Sequence, residues 1–197
     1  MRKLAAIAAI AAGLAVAPAA ALEPELRPGE TLDARIDGDL DGDGSADLAY
    51  LVSTEDHREL IVALTDGATE SLALEPTPLG PGSLAIDGNV LEFEDLTGGT
   101  TAIASTRRFR FDGLRNRMRL IGLDATVYSR TNAHDGFEAS WNLLNGDTFT
   151  RELRLVEGAG EDPYENGRER RFKRRIRAQW LSDSPDPEVV LDEMRDG

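Results

Sequence analysis

The chain reads as a mainly β protein, an antiparallel meander or curved sheet, or a sandwich, with one Asp-rich loop near its N-terminus. Three observations carry this reading. From Ser83 onward, turn signals recur at regular intervals, as they do in a run of antiparallel strands. Arg108-Phe109-Arg110-Phe111 alternates polar and apolar residues, the pattern of a half-buried sheet with one wet face. The run 48–52, with Tyr50 and Val52, is continuously apolar and follows the Asp-rich loop directly, as a buried strand would.

At the start of the chain, Met1-Arg2-Lys3 precedes an apolar run over 4–16 and the small-residue stretch Ala17-Pro18-Ala19-Ala20-Ala21. This order predicts a secretory signal peptide over 1–21, cut after Ala21. Its apolar core is shorter than the roughly 20 residues of a membrane-spanning helix, and no cysteine follows to carry a lipid. A periplasmic or secreted protein without membrane insertion is expected, in one β-rich domain over 22–181. In residues 22–32, Pro24, Pro28 and Gly29 disfavour helix and strand alike, so an extended arm is expected to lead into the loop.

The loop is Asp39-Leu40-Asp41-Gly42-Asp43-Gly44-Ser45-Ala46-Asp47. Calcium takes six to eight oxygens, and a short loop supplies them from positions 1, 3, 5, 7 and 9 with glycine at the sharp turn at 6. Asp39, Asp41, Asp43, Ser45 and Asp47 fill those positions and Gly44 falls on the sixth. A frame starting at Asp37 also puts glycine at position 6, but the frame starting at Asp39 gains the carboxylate of Asp47 at position 9. Neither frame has the closing glutamate of an EF-hand, and the exit is a strand rather than a helix.

The segment resembles the calcium-binding loop of FG-GAP or VCBS-type repeats, known from integrin-like β-propellers. The resemblance implies Asp39, Asp41, Asp43 and Asp47 as side-chain ligands and Ser45 as a carbonyl ligand. It covers about a dozen residues, in a single copy. A propeller needs several blades, so the loop chemistry carries over and the propeller does not.

After the loop, 48–53 and 59–64 predict a hairpin around a polar turn that holds His57. Pro76, Pro78, Gly80, Pro81 and Gly82 mark a linker near 75–83 that divides the fold into two halves. Strands are then expected over 89–95, 101–111, 117–129, 137–144 and 148–156, the last two joined at Asn145-Gly146, a strong hairpin signal. Trp141 alternates with Ala139 and Leu143 and is read as core. Residues 158–167 read as a flexible acidic connection. The basic strip 168–177 fits a strand at period two and a helix at spacing four. Its charges suit either an anionic partner or the acidic surface of its own fold. Residues 182–197, acidic and with Pro185 and Pro187, are expected to form a loosely held tail.

Composition narrows the function. The 22 basic and 36 acidic residues give a net charge of −14, and loss of Arg2 and Lys3 takes it to −16. That balance disfavours nucleic acid and anionic membranes as partners. Without cysteine, no disulfide staples the fold. Two histidines and no nucleophile elbow, phosphate loop or zinc helix leave little catalytic machinery. The expected function is therefore non-catalytic. It is an exported calcium-binding module (an inhibitor, immunity-type protein or adaptor) that meets another protein or an envelope glycan. The competing class is a carboxylate-dependent hydrolase of envelope glycans with a structural calcium, since paired acids leave no local spacing signature.

Overall fold

In the computed structural model, which describes residues 21–156 and 163–196, two antiparallel sheets face each other. The first has four strands in chain order: β1 (Thr31–Gly38), β2 (Asp47–Ser53), β3 (Arg58–Ala63) and β4 (Thr69–Ala73). The second is a seven-stranded meander, again in chain order: β5 (Ser83–Asp87), β6 (Val90–Gly98), β7 (Thr101–Asp112), β8 (Arg117–Ser129), β9 (Gly136–Asn142), β10 (Asp147–Leu155) and β11 (Tyr164–Lys173). The Pro/Gly-rich linker lies between β4 and β5, at the passage from one sheet to the other. A 3₁₀ turn at Leu181–Asp183 and one helix, α1 (Pro187–Asp196), complete the described chain.

Side-chain alternation explains the packing. On β7, Ile103, Ser105, Arg107 and Phe109 are buried, while Ala104, Thr106, Arg108 and Arg110 point the other way. Leu91 and Phe93 on β6 and Leu120 and Leu123 on β8 join them in one core with Leu51, Leu60 and Val62 of the first sheet. The apolar run on β2 does not alternate because both of its faces are covered. Ala49 and Leu51 face the second sheet, whereas Leu48, Tyr50 and Val52 form a separate cluster with Ile61, against which Leu22 packs. The N-terminal arm therefore lies across the outer face of β2 and β3. The Tyr50 hydroxyl accepts the Glu25 amide at 3.3 Å, and Arg27 meets Glu59 at 3.2 Å.

A buried ion pair links the two halves. Arg58 on β3, fully buried, donates from Nη1 to both carboxylate oxygens of Asp95 on β6, at 2.9 and 3.0 Å. Its Nη2 donates to the Pro81 carbonyl in the linker at 2.8 Å.

Several sequence expectations need correction. The arm does not run straight into the loop, because β1 intervenes and pairs along β2. Leu32, Ala34 and Ile36 alternate with Asp33, Arg35 and Asp37 along it, and Ala34 and Ile36 pack on the main core, a period-two strand pattern that follows directly on the Pro/Gly-rich arm. The edge strands β4 and β5 are short and were not read individually. Of the connection at 158–167, residues 164–167 belong to β11, whose polar residues pair with β10, and 158–162 lie outside the described residues. The basic strip is strand as far as Lys173, and the chain then leaves the sheet to make an isolated bridge between Trp180 and Arg119.

The tail from Ser182 is not loosely held. Pro187, Val190, Leu191 and Met194 share one helical face and are buried against the second sheet. Pro187 starts the helix, and Asp186 caps it by accepting the Glu188 amide at 2.8 Å. The predicted signal peptide over 1–21 falls, but for Ala21, outside the described residues. Among the described residues, no helix is long and apolar enough to cross a membrane.

Candidate metal loop and neighbouring clefts

The Asp-rich segment is the connection of the β1–β2 hairpin, closed where Gly38 stands opposite Asp47. Local hydrogen bonds give it its shape. Asp39 accepts the amides of Gly42 at 2.7 Å and Gly44 at 3.0 Å, Asp41 accepts that of Asp43 at 3.0 Å, and Asp43 accepts that of Ser45 at 2.6 Å. Gly42 and Gly44 sit at φ +85° and +86°, in the left-handed region that side chains disfavour, so the chain can curl around its own carboxylates. Leu40 points the opposite way and is fully buried in the main core.

This curl gathers Asp39, Asp41 and Asp43, whose carboxylate oxygens lie within 4.8 Å of one another. The donor set is all oxygen and anionic, which suits a hard divalent cation of the calcium or magnesium type. Its electrostatics are uneven. Desolvation raises the Asp41 carboxyl above its ordinary value, and the charges of Asp47, Asp43 and Asp39 add to the effect. Asp43 is held lower, chiefly by the Ser45 amide.

Asp47 stands apart from this triad. It is fully buried, and its two oxygens tie three pieces of backbone together. Oδ2 accepts the amides of Leu40 at 2.9 Å and Asp41 at 3.3 Å, while Oδ1 accepts the Thr65 amide at 2.9 Å and hydroxyl at 3.3 Å. Thr65 also donates to Asp43 Oδ2 at 3.3 Å, which joins the β3–β4 turn to the loop. Ser45 contributes its amide to Asp43. Sequence reasoning missed Thr65, since nothing near Leu64-Thr65-Asp66-Gly67 points to a loop eighteen residues earlier. Only the β2–β3 register, with Leu48 opposite Ala63, places it there.

Elsewhere, the outer face of the second sheet neutralises itself. Arg108 bridges Glu92 at 3.0 Å and Asp124 at 2.5 Å, and Arg151 bridges Glu138 at 2.9 Å and Glu169 at 2.7 Å. A shallow groove on this face holds Glu94 and Asp124 on either side of Thr106, two strands apart or about 10 Å. Ser83 donates to Glu94 at 3.0 Å, so neither carboxylate is without a partner.

Much of the basic strip also turns inward on its own fold. Arg171 stacks on Phe149, Lys173 meets Asp147 at 2.7 Å, and Arg174 stacks on Trp141 and meets Glu193 at 2.7 Å. Trp141 is buried in the core.

The two histidines lie far apart in the chain. His57 Nε2 is 3.3 Å from Glu59, beside Arg27. His134 has both ring nitrogens engaged, by Thr101 Oγ1 at 2.8 Å and the Asp135 carbonyl at 2.6 Å. It stands at one end of a larger cleft, about 680 Å³, between the inner face of the second sheet and α1.

Comparison with protein-family models gives no match, and comparisons with curated proteins and with solved structures give none either.

Proposed function

We propose that the chain is an exported calcium-binding protein with a non-catalytic binding role in the cell envelope or outside the cell, acting on another protein or an envelope glycan. The convergence of Asp39, Asp41 and Asp43 supports this reading most directly. Three carboxylates held this close repel one another at neutral pH, and a divalent cation removes that repulsion. The loop's likeness to FG-GAP or VCBS-type segments points to calcium, with the Ser45 carbonyl and water completing the shell. Asp47 takes part either as a ligand or as the pin that sets the loop's shape. The N-terminal segment over 1–21 is the basis for export.

In this reading calcium has a structural task. It rigidifies the hairpin that joins β1 to β2 and, through Thr65, the neighbouring β3–β4 turn. At about 1 mM calcium and a dissociation constant of about 0.1 mM, binding adds roughly 1.4 kcal/mol to stability.

The hydrolase reading draws on Glu94 and Asp124, whose spacing of about 10 Å is just beyond the range for inverting glycosidases. Their engagement by Ser83 and Arg108 favours the non-catalytic role.

Calorimetric titration of the chain from residue 22 with calcium tests the metal reading. One site per chain is expected, weakened at least tenfold in Asp41→Asn. Absence of binding, or equal binding by the variant, contradicts it.

A further inference from the structure

Arg107 carries a buried charge that its own fold does not answer. It lies on the inner face of β7 and is only 6 % exposed. Among the described residues its guanidinium makes no hydrogen bond and no ion pair, and its Nε is buried without an acceptor. Its close neighbour is the Phe93 ring across the strand pair, 5.8 Å from the centroid. Burial pushes the group below its ordinary value against the pull of Asp95 and Asp186, yet an arginine keeps its proton.

The nearby acids do not close on it. Asp95, opposite Ser105 on β6, gives both oxygens to Arg58 at 2.9 and 3.0 Å. The buried charges here are thus two arginines against one aspartate, which leaves one positive charge in excess. Asp186 is exposed and accepts the Glu188 amide, and Glu75 is exposed and accepts the Thr77 hydroxyl.

A cavity of about 110 Å³ lies beside Arg107, where the end of β4, the inner face of β6 and β7 and the start of α1 meet. That is several times the room one water needs. Ser184 on its wall has a second buried polar atom without a partner, its Oγ, and Thr97 and Ser105 add further hydroxyls. Glu75 and Asp186, both exposed, mark the mouth. Water alone would satisfy the orphaned donors but leave the charge; a small anion answers both.

We propose that this cavity holds one small monovalent anion, a halide or the carboxylate of a one- or two-carbon acid, bound by the Arg107 guanidinium and the Ser184 hydroxyl. The size of the cavity excludes larger acids, and the two carboxylates at its mouth oppose multivalent anions. The bound ion ties the start of α1 to both sheets. This site goes beyond the binding-module reading and stands apart from the calcium loop.

The test is chloride-35 NMR of the chain in a sodium gluconate background, since gluconate is too large for the cavity. The chain should broaden the chloride line, and formate or acetate should reverse the broadening where sulfate at equal ionic strength does not. Displacement by formate at concentrations below that of the chloride identifies a carboxylate as the better occupant; displacement only in excess identifies the halide. Arg107→Met should abolish the broadening, and Ser184→Ala should weaken chloride about tenfold. Melts in gluconate check the fold. Ser184→Ala removes no internal hydrogen bond of the hydroxyl and should match the parent, and Arg107→Met, which removes an unanswered buried charge, should melt no lower. Chloride should then raise the midpoint of the parent but not that of Arg107→Met. No displaceable broadening in the parent, or equal broadening in Arg107→Met, would mean an adventitious surface ion only and overturn the proposal, whatever the loop does with calcium.

Discussion

Two buried acids, Asp47 and Asp95, show what single residues do here. The carboxylate of Asp47 satisfies the amides of Leu40, Asp41 and Thr65 in a fully buried position, so its removal leaves donors without partners. Asp47→Ala should lower stability by about 2–4 kcal/mol in urea titrations even with EDTA present. A loss seen only with calcium would make Asp47 purely a ligand. Asp95 accepts from a fully buried Arg58, and truncating one partner of such a pair strands the other. Arg58→Met should cost about 3–5 kcal/mol, and the double change Arg58→Met with Asp95→Leu should cost less, read by the same titrations. Position in the Asp-rich pattern identified Asp39, Asp41 and Asp43 as neighbours. It did not reveal that Asp47 turns inward, because spacing carries no information about which backbone amides a side chain will find.

Among the elements, strands with strong turn signals or alternation were legible, and polar or edge elements were not. β7, β8 and β10 nearly coincide with their sequence readings, since Arg108-Phe109-Arg110-Phe111 and Asn145-Gly146 mark them locally. β1 is the exception, since Leu32-Asp33-Ala34-Arg35-Ile36-Asp37 alternates along it but follows directly on the Pro/Gly-rich arm, whereas β4 is held by pairing to β3, an interaction its own residues do not advertise. α1 was hidden by Pro185, Pro187 and its acids, although 187, 190, 191 and 194 carry the helical spacing. Leu191, almost fully buried, makes the test: Leu191→Ala should destabilise by about 2–5 kcal/mol, whereas a loosely held tail would show no change in the melt.

The arm adds a pH dependence. Burial alone would raise the Glu59 carboxyl, but hydrogen bonds from Ser71 and His57 and the charge of Arg27 outweigh it and hold the group below its ordinary value. A depressed acid stabilises the fold above its unfolded pKa, and that contribution is lost as pH falls through the folded value. Glu59→Gln should therefore flatten the stability profile between about pH 5 and pH 3, measured by urea titration at each pH. An unchanged slope would show that the arm's latch carries no proton linkage.

At the scale of the molecule, two sheets of four and seven strands close over one core, and the hairpin loop between β1 and β2 projects from the smaller sheet. The mainly β class was legible because turn chemistry and alternation are local. The division into a four-stranded and a seven-stranded sheet follows the Pro/Gly-rich linker, which lies between them. The cleft beneath α1 was not legible, since it is built from the inner face of the second sheet and a helix that only tertiary packing brings against it.

The central claim is that the loop is a calcium clamp on this fold. Thermal melts of the chain from residue 22 test it, in EDTA, then with calcium or magnesium restored at constant ionic strength, beside Asp43→Ala. Constant ionic strength matters because so acidic a chain gains stability from salt alone. Calcium should raise the midpoint by about 3–6 °C, more than magnesium does, and Asp43→Ala should lose the response. A parent chain whose midpoint neither metal shifts would reduce the loop to an acidic turn and contradict the account.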